Sequence, residues 1–216
     1  MIASARGRRN DRLVMSIWRG PQKLILASQS RARRMLLENA GLDFEALPAG
    51  IDERAVQKNS GLSAPGEIAL LLAREKALFI SRQKPGQYVI GADQTLALGQ
   101  RMFSKPAGRA QAAEQLGLLA GQTHELHSAV SVARDGKALF DDVCVARMTM
   151  RRLDTGEIEA YLDQAGAAVT TSVGAYQLEG LGVHLFERIE GDHFTILGLP
   201  LLSLLAFLRR EKLLAV

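Results

Sequence analysis

The feature that most constrains the fold is an alternation of short apolar runs with segments of helical periodicity. The run Lys23–Ala27 is typical of a buried strand, and the apolar residues after it recur at helical spacing up to Gly41, a glycine typical of helix C-termini. Residues 67–81 form a second helical segment, and Tyr88–Ala92 is another short apolar run. Strands that alternate with helices in this way predict an α/β sheet.

A hairpin signal indicates that this sheet is mixed rather than purely parallel. Two long strand patterns, His124–Arg134 and Lys137–Arg151, are joined by Asp135-Gly136, which is a strong hairpin sequence. The remaining predicted elements are a hairpin arm at Thr95–Leu98 with a Gly99-Gln100 turn, and helices at 109–120, at 155–165 and from Pro200 onward. The expected class is therefore α/β, with a mixed sheet and flanking helices.

The chain length and the single cysteine limit the number of domains and the cellular compartment that we expect. A chain of 216 residues suits one α/β domain, or one domain divided into two lobes by a cleft. Cys144 is the only cysteine, so an intramolecular disulfide is excluded and a reducing compartment is expected. No apolar run reaches the about 18 residues that a membrane-spanning helix needs. We therefore expect a cytoplasmic protein without a membrane partner.

The positive charge of the chain is concentrated at its N-terminus. Residues 1–34 hold nine Lys/Arg against one acid, whereas the rest of the chain holds 18 Lys/Arg against 22 Asp/Glu. A nucleic-acid-binding domain spreads basic charge over one face, so this distribution argues against a nucleic-acid partner. Residues 1–22 show no amphipathic period and are predicted to be a basic, disordered extension, with the domain at 23–216. Met15 is an alternative start of the chain.

Several cations follow the first predicted strand, at the point where a helix begins. Ser28 and Ser30 precede this helix start, and Arg31, Arg33 and Arg34 lie in its first turn. Cations at this end oppose the helix macrodipole by roughly 0.3–1 kcal/mol each unless an anion is bound. Free N–H groups, hydroxyls and guanidinium groups are together suited to phosphate. A solvated basic helix start is the alternative interpretation.

Two acids and one lysine are further candidates for a functional site. Asp93 follows the apolar run Tyr88–Ala92, and ligands of open α/β sheets gather beyond the carboxyl ends of strands. An acid there can bind a divalent metal or take a proton from water, although many such residues only form a turn. Lys105 precedes a proline, which favours an extended loop. Glu179 lies in a segment crowded with glycines, for which a glycine-rich hairpin is the alternative.

Common nucleotide and metal motifs are absent from the sequence. It contains no GxxxxGK[ST], GxGxxG, HExxH, GxSxG or CxxC. His124 and His127 are three residues apart on a predicted strand, so they point to opposite faces and cannot chelate one ion together. We expect structural or surface roles for the histidines.

The segments described so far belong to an ordered set of short motifs. The sequence LASQSRARRMLL covers Leu26–Leu37, and a DE pair stands at Asp52-Glu53. Later motifs, in chain order, are EKA at 75–77, GADQTL at 91–96, KP at 105–106, and the closing blocks GAYQLEGLG, ERIEGD and GLPL. Together they resemble the Maf-like nucleotide pyrophosphatases, whose opening signature is close to LASxSPRRxxLL. The resemblance spans about residues 23–210 in the family's order.

This resemblance implies a fold, a reaction and a set of site residues. The family fold is an elongated mixed sheet with two lobes around a central cleft, related to the inosine triphosphatases. The implied reaction is hydrolysis of a nucleoside triphosphate to the monophosphate and pyrophosphate, with Mg²⁺ or Mn²⁺ as cofactor. Asp93 is implied as the catalytic acid/base or as a metal-linked carboxylate. Residues implied to contact substrate are Ser28, Ser30, Arg33, Arg34, Lys76, Gln94 and Lys105, and those implied to bind metal are Glu53, Glu179 and Asp93.

The sequence departs from the common family pattern at several positions. Arg31 and Ala32 stand where that pattern has Pro and Arg, and the spacing of Arg33-Arg34 fits a subgroup with SPxRR. Gln94 also fits this subgroup, and that resemblance implies substrates of the 7-methyl-GTP type rather than dTTP and UTP. Thr195 stands where the family usually has Asn.

Other functions stay open at the level of the sequence. One is a cell-division regulator that binds nucleotide or DNA without catalysis, for which steep salt dependence would mark DNA binding. The intact set of Asp93, Lys76, Lys105 and Glu53 argues against a loss of catalysis. Another is a house-cleaning enzyme for inosine or xanthosine triphosphate, which would differ only in base recognition. The preferred base, the metal and the formation of a homodimer are not decided by the sequence.

Overall fold

Residues 17–216 are described by a computed structural model in which strands and helices alternate along the chain. The strands are β1 (Leu24–Leu26), β2 (Phe44–Ala46), β3 (Val89–Leu98), β4 (Arg101–Phe103), β5 (Thr123–Arg134), β6 (Lys137–Met150) and β7 (Phe186–Glu190). The helices are α1 (Arg31–Asn39), α2 (Glu53–Ser60), α3 (Pro65–Gln83), α4 (Arg109–Leu119), α5 (Thr155–Ala165), α6 (His193–Ile196) and α7 (Leu201–Arg210). Short 3₁₀ turns cover Gly166–Thr170, Val173–Ala175 and Leu181–Leu185. No helix in this described range has the length and apolar character needed to cross a membrane.

One mixed sheet joins the seven strands of the described chain. Their order is β2-β1-β3-β5-β6-β7, and β4 pairs with the distal part of β3. The strands β2, β1 and β3 are parallel, whereas β5, β6 and β7 are added antiparallel. In the β5–β6 turn, Asp135 and Gly136 have φ values of 51° and 73°, the two positive values that a type I′ turn needs. The predicted α/β class with a mixed sheet is confirmed.

The strand β3 is longer than the sequence predicts, and the sheet divides along it. Gly and Asp are disfavoured in strands, so the sequence predicts an end at Ala92 with Asp93 beyond it. The strand instead continues to Leu98, because β5 pairs with it without a break along residues 89–97. On the other edge, β1 pairs with residues 89–90 and β4 with residues 96–98. Asp93 therefore lies within the strand, in the unpaired stretch 91–95 of that edge, which we call the fork.

Two apolar cores lie along the sheet on either side of the fork. The first joins β1 and the early part of β3, including Ile90, to α1 and to Phe207 of α7. The second joins the distal part of β3, including Leu96, to α4 and to Leu162 of α5. These two cores agree with the two-lobed arrangement that the family resemblance implies.

The first described residues pair with the C-terminal end of the chain. Trp18 forms an antiparallel bridge with Leu214, and its ring meets the ring of Tyr88 edge-on at a centroid distance of 5.9 Å. The amide of Arg19 donates a hydrogen bond to the carbonyl of Leu213 at 2.8 Å. The predicted extension therefore includes residues with contacts to the domain, and its boundary at residue 22 stays a prediction. Residues 1–16 lie outside the described part of the chain.

Candidate active site at the sheet fork

A glycine on β3 brings α3 into backbone contact with the fork. Gly91, Asp93 and Thr95 share one face of the sheet, because side chains alternate along a strand. A Cβ added at Gly91 would lie 2.0 Å from the carbonyl oxygen of Ala73, so only glycine permits such close packing of α3. Further along, the hydroxyl of Thr95 donates a hydrogen bond to the carbonyl of Pro65 at 3.0 Å. The helix α3 is thus fixed against β3 on both sides of Asp93.

Lys76 on α3 bridges a buried and a half-exposed carboxylate. Its Nζ lies 2.6 Å from Oδ1 of Asp93 and 2.8 Å from Oε1 of Glu53. Lys76 and Asp93 are each 8% exposed, whereas the side chain of Glu53 is 51% exposed. Glu53 opens α2, which is capped by the Asp52 side chain and contains no fully buried residue. We call Lys76, Asp93 and Glu53 the ionic face.

The surroundings of Asp93 make its carboxylate a better base. Burial raises the pKa of Asp93 above its ordinary value, because the charged form loses solvation. The Lys76 ammonium and, to a lesser degree, the Arg33 guanidinium act to lower this pKa without cancelling the effect of burial. A carboxylate with a raised pKa accepts a proton more readily than a solvated aspartate does. The arrangement therefore suits a general base that takes a proton from water.

Arg33 fastens the start of α1 to the fork. Its Nε donates a hydrogen bond to the carbonyl of Gly198 at 2.8 Å. Its Nη1 donates to the carbonyl of Ala92 at 2.8 Å and to Oγ of Ser28 at 3.3 Å. The guanidinium therefore occupies an edge acceptor of β3 where a neighbouring strand would otherwise pair. Three of its five N–H donors are used in this way, and the two donors on Nη2 remain for other contacts.

The loop between β1 and α1 has the geometry of an anion-binding helix start. Ser30 is the N-cap of α1, and its Oγ accepts a hydrogen bond from the amide of Arg33 at 3.3 Å. Oγ of Ser28 accepts from the amide of Ser30 at 3.2 Å. The first turn of α1 contains no acid, and Arg31 and Arg34 are exposed there. Both the macrodipole and these cations favour a bound anion.

On the opposite face of β3, the hydrogen bonds join uncharged groups. Nε2 of Gln94 donates to Oγ of Ser128 at 2.8 Å and to the carbonyls of Thr195 and Ile196 at 3.1 and 3.0 Å. Oγ of Ser128 also donates to the carbonyl of Thr195, at 2.6 Å. Ser128 and Thr195 are completely buried. We call Gln94, Ser128 and Thr195 the amide face, which joins β3 and β5 to α6.

The structure gives a role to the departure from the family pattern at Thr195. Asp192 caps α6, and its carboxylate accepts hydrogen bonds from the amides of Phe194 and Thr195 and from the Thr195 hydroxyl. After α6 the chain turns at Gly198, which has a φ of +88°. This turn places the Gly198 carbonyl on the guanidinium of Arg33. The segment after β7 therefore supports both the amide face and the start of α1.

Three predicted site residues lie outside these hydrogen-bonded groups. Arg34, Lys105 and Glu179 are exposed, on α1, in the loop after β4 and in the turn before Leu181–Leu185. Within residues 17–216, no three His, Cys, Asp or Glu side chains are arranged to hold one metal ion. Glu53, Glu179 and Asp93 therefore do not form a three-carboxylate site in this structure. Their role as metal ligands stays a prediction.

Two of these three carboxylates nevertheless fit a divalent cation. Oxygens of Glu53 and Asp93 both lie within 2.8 Å of one point, which the Lys76 ammonium occupies. Carboxylate oxygens are the hard donors that Mg²⁺ and Mn²⁺ prefer. Mg²⁺ in phosphate-transfer sites is commonly held by one or two carboxylates together with substrate phosphates. The pair is therefore suited to a metal that binds with a nucleotide.

The histidines have the structural and surface roles that the sequence predicts. His124 and His127 lie on opposite faces of β5. His124 is buried in the second core, where its Nε2 shares a hydrogen bond of 2.7 Å with the hydroxyl of Tyr176. Burial lowers the pKa of His124 from 6.5 to about 4. His127 lies opposite Thr95 on the neighbouring strand, and its Nε2 is 3.1 Å from the carboxylate of Glu125.

Sequence reasoning did not identify Ser128 and Gly198 as parts of this arrangement. Gly198 belongs to the GLPL block, so a signal for it was present in the sequence. Ser128 has no comparable local signal, because only the pairing of β5 with β3 places it opposite Gln94. Its contribution depends on the strand register rather than on any motif.

The chain belongs to the Maf-like family. A family model described as "Maf-like protein" matches residues 23–211, a range that contains both faces of the fork and the start of α1. The family resemblance of the sequence is thereby confirmed.

Relatives of known name cover nearly the whole chain. A nucleoside triphosphate pyrophosphatase of Bradyrhizobium diazoefficiens is 70% identical over 202 residues, which are 94% of this chain and 100% of the relative. A protein of the same name from Rhodopseudomonas palustris is 67% identical, with the same coverage of 94% and 100%. A 7-methyl-GTP pyrophosphatase of Brucella abortus is 53% identical over 193 residues, which are 88% of this chain and 96% of the relative.

Two solved structures are similar to a lesser degree. A HAM1 protein from Coxiella burnetii is 15% identical with a TM-score of 0.39, and the match covers 61% of this chain and 74% of that one. A nucleoside-triphosphatase, also named dITP/XTP pyrophosphatase, from Mycobacterium abscessus is 16% identical with a TM-score of 0.39, covering 88% and 95%. Similarity at this level carries no argument about the site or its substrate.

Proposed function

We propose that this chain hydrolyses the α–β phosphoanhydride bond of nucleoside triphosphates and releases a nucleoside monophosphate and pyrophosphate. The chain is a hydrolase of the nucleoside triphosphate pyrophosphatase class, the name carried by relatives that are 63–70% identical over their full length. The observation that carries the proposal is the buried pair of Lys76 and Asp93 at the fork, next to the cationic start of α1.

The start of α1 supplies positive charge for the phosphates in this proposal. Backbone N–H groups after Ser28, the Ser30 hydroxyl and the Nη2 group of Arg33 are suited to phosphate oxygens. We assign to the exposed cations Arg34 and Lys105 the parts of the triphosphate that extend beyond the fork. Such fixed cations stabilise the charge that develops on the phosphates as the bond breaks.

Asp93 is the proposed general base. It takes a proton from a water molecule while the water oxygen forms a bond to a phosphorus atom of the α–β bridge. The bond between that phosphorus and the bridging oxygen breaks, and its electron pair goes with the departing phosphate group. The raised pKa of Asp93 favours the proton transfer, and in the nucleotide-free protein Lys76 keeps the carboxylate ionised and oriented.

A divalent cation completes the proposal. Mg²⁺ or Mn²⁺, when bound, neutralises phosphate charge and polarises the P–O bond that breaks. Glu53 and Asp93 are the residues proposed to hold it together with triphosphate oxygens. Glu179 is a third carboxylate that the family resemblance implies for the same purpose.

For the base of the substrate we propose a modified guanine, as in 7-methyl-GTP. The spacing of Arg33-Arg34 and the presence of Gln94 support this choice through the subgroup that they resemble. The relative from Brucella abortus that is named 7-methyl-GTP pyrophosphatase gives further support at 53% identity. dTTP and UTP are the alternative substrates.

The test is pyrophosphate release over a panel of nucleotides, with phosphorus NMR of the products. We expect a higher kcat/KM for 7-methyl-GTP than for GTP, dTTP, UTP, ITP and XTP. The spectrum should show monophosphate and pyrophosphate. A nucleoside diphosphate with orthophosphate as the main products would contradict the reaction, whereas a preference for dTTP or UTP would contradict only the proposed base.

A further inference from the structure

The Lys76 ammonium occupies the point at which the two carboxylates of the ionic face converge. It lies 2.6 Å from Asp93 and 2.8 Å from Glu53, and the Lys76 side chain is only 10% exposed. We propose that Lys76 is the resident counter-ion of the metal site. It keeps a divalent cation out of the free protein, so the cation enters only together with the triphosphate. This inference rests on the proposed function, because it concerns the metal which that reaction would use.

The ammonium and a metal ion cannot share this position. A Mg²⁺ ion that bound the same two oxygens would take the place where they converge, and the Lys76 ammonium occupies that place. Two cations so close together in a partly buried site repel each other strongly. Lys76 must therefore move away before an ion can bind to Asp93 and Glu53.

The charge balance explains why a free ion does not displace the ammonium. Lys76 and Arg33 together balance Asp93 and Glu53, all of which interact electrostatically around Asp93. A free dication would add two uncompensated positive charges and would leave Lys76 without its buried partner. A triphosphate brings several negative charges to the same place. The flexible four-carbon side chain of Lys76 can then turn to a phosphate while the ion takes its position.

Arg74 provides a matched control on the same helix. It lies two residues before Lys76 on α3, and its Nε donates a hydrogen bond to Asp141 of β6 at 3.0 Å. It is therefore a paired cation of α3 that has no part in the ionic face. Loss of Arg74 removes one positive charge from the helix but leaves Asp93 and Glu53 with their ammonium.

The experiment is a titration of the full-length, nucleotide-free protein with Mn²⁺, in which electron paramagnetic resonance measures the free ion. Wild type should leave added Mn²⁺ free at concentrations at which Lys76→Met binds one equivalent. We expect at least about tenfold tighter binding by Lys76→Met, because the repulsion between the two cations is removed. Arg74→Met should behave as wild type does. Adding Asp93→Asn to Lys76→Met should abolish the gain.

Two results would overturn the proposal. One is wild type that binds one equivalent of Mn²⁺ without nucleotide as tightly as Lys76→Met does. The other is a gain in Lys76→Met that persists when Asp93→Asn is added. If thermal melting shows that Lys76→Met is unfolded, Lys76→Gln replaces it. Tight Mn²⁺ binding by nucleotide-free wild type would overturn the proposal without either variant. Pyrophosphate release is measured separately, so protein that turns over nucleotide but binds free Mn²⁺ contradicts this inference and not the proposed function.

Discussion

The two faces of β3 at the fork differ in chemistry although they are formed by consecutive residues. Asp93 points to α3 and contacts an ammonium group, whereas Gln94 points to α6 and contacts a hydroxyl and two carbonyls. The ionic face connects a buried carboxylate to the half-exposed Glu53. The amide face, in contrast, buries Ser128 and Thr195 completely.

This difference gives the two faces separate roles, one in the reaction and the other in the stability of the fold. A buried ion pair contributes little net stability, because the loss of solvation offsets the attraction between the charges. Neutral buried hydrogen bonds contribute about 0.5–1.5 kcal/mol each without that cost. We therefore interpret the ionic face as the reactive side of the fork and the amide face as the side that holds β3, β5 and α6 in place.

The largest effect is expected from Asp93→Asn on the ionic face. The amide has nearly the same shape but cannot accept a proton from water, so turnover should fall by about 10² or more. The melting temperature should change little, since Lys76 keeps Glu53 as a partner. Rates of pyrophosphate release and thermal melting of the same preparation measure both effects. Asp141→Asn, which removes the partner of Arg74 on the same helix, is the control; near-normal turnover of folded Asp93→Asn would remove Asp93 from the mechanism.

The second prediction concerns the stability that is lost when a charge forms on the side of the sheet that carries the amide face. His124 lies on that side of β5, four residues before Ser128, and its pKa is lowered to about 4 from an ordinary 6.5. As the pH falls through this window, the unfolded chain binds the proton first, so stability is lost. The loss due to His124 should reach about 3 kcal/mol at pH 4.

Denaturant unfolding of His124→Gln at pH 7 and pH 4 measures this contribution. The variant should lose about 3 kcal/mol less than wild type between the two pH values, because it has no imidazole to protonate. His184→Gln replaces an exposed histidine and should show the wild-type loss. An unchanged loss in His124→Gln would mean that the buried imidazole does not determine the acid sensitivity.

A smaller effect is expected from Ser128→Ala on the amide face. The substitution removes one hydrogen-bond partner of Gln94 and one donor to the Thr195 carbonyl. The free energy of unfolding should fall by about 1–2 kcal/mol, while kcat should change less than in Asp93→Asn. Ser131→Ala on the same strand is a matched control, because the buried Ser131 hydroxyl has no partner among the described residues. Equal losses in the two variants would show that the amide face adds no specific stability.

The residues around the fork also show how much of the site could be predicted from the sequence. Asp93 could be found because it follows an apolar run, and the start of α1 because three arginines oppose a helix dipole. The pairing of Lys76 with Asp93 could not be derived from periodicity, since it depends on the close packing of α3 at Gly91. The strand arm at Thr95–Leu98 was predicted, but its unbroken connection to Tyr88–Ala92 through Asp93 and Gln94 was not, because the long β5 partner overrides the local preference.

The smallest effect is expected from a deletion at the N-terminus. Deletion of residues 1–14, so that the chain starts at Met15, retains Ile17 and Trp18 and their contacts with the C-terminus. Melting temperature and nucleotide hydrolysis should be nearly unchanged. Thermal melting and steady-state kinetics of the truncated protein test this. A melting temperature lowered by several degrees, or a sharp rise in KM, would show that the segment supports the domain or its phosphate site.

The close packing of α3 at Gly91 contrasts with the shallow burial of α2, and this difference has a consequence for how the enzyme adapts to its ligand. Lys76 and Asp93 lie on α3 and β3, which pack closely at Gly91, so the backbones of these two residues keep their relative position. Glu53 is carried by α2, a short helix that buries none of its residues completely. Little packing opposes a displacement of such a helix. We expect α3 and β3 to stay in place while α2 moves, so that the position of Glu53 adjusts to nucleotides of different size.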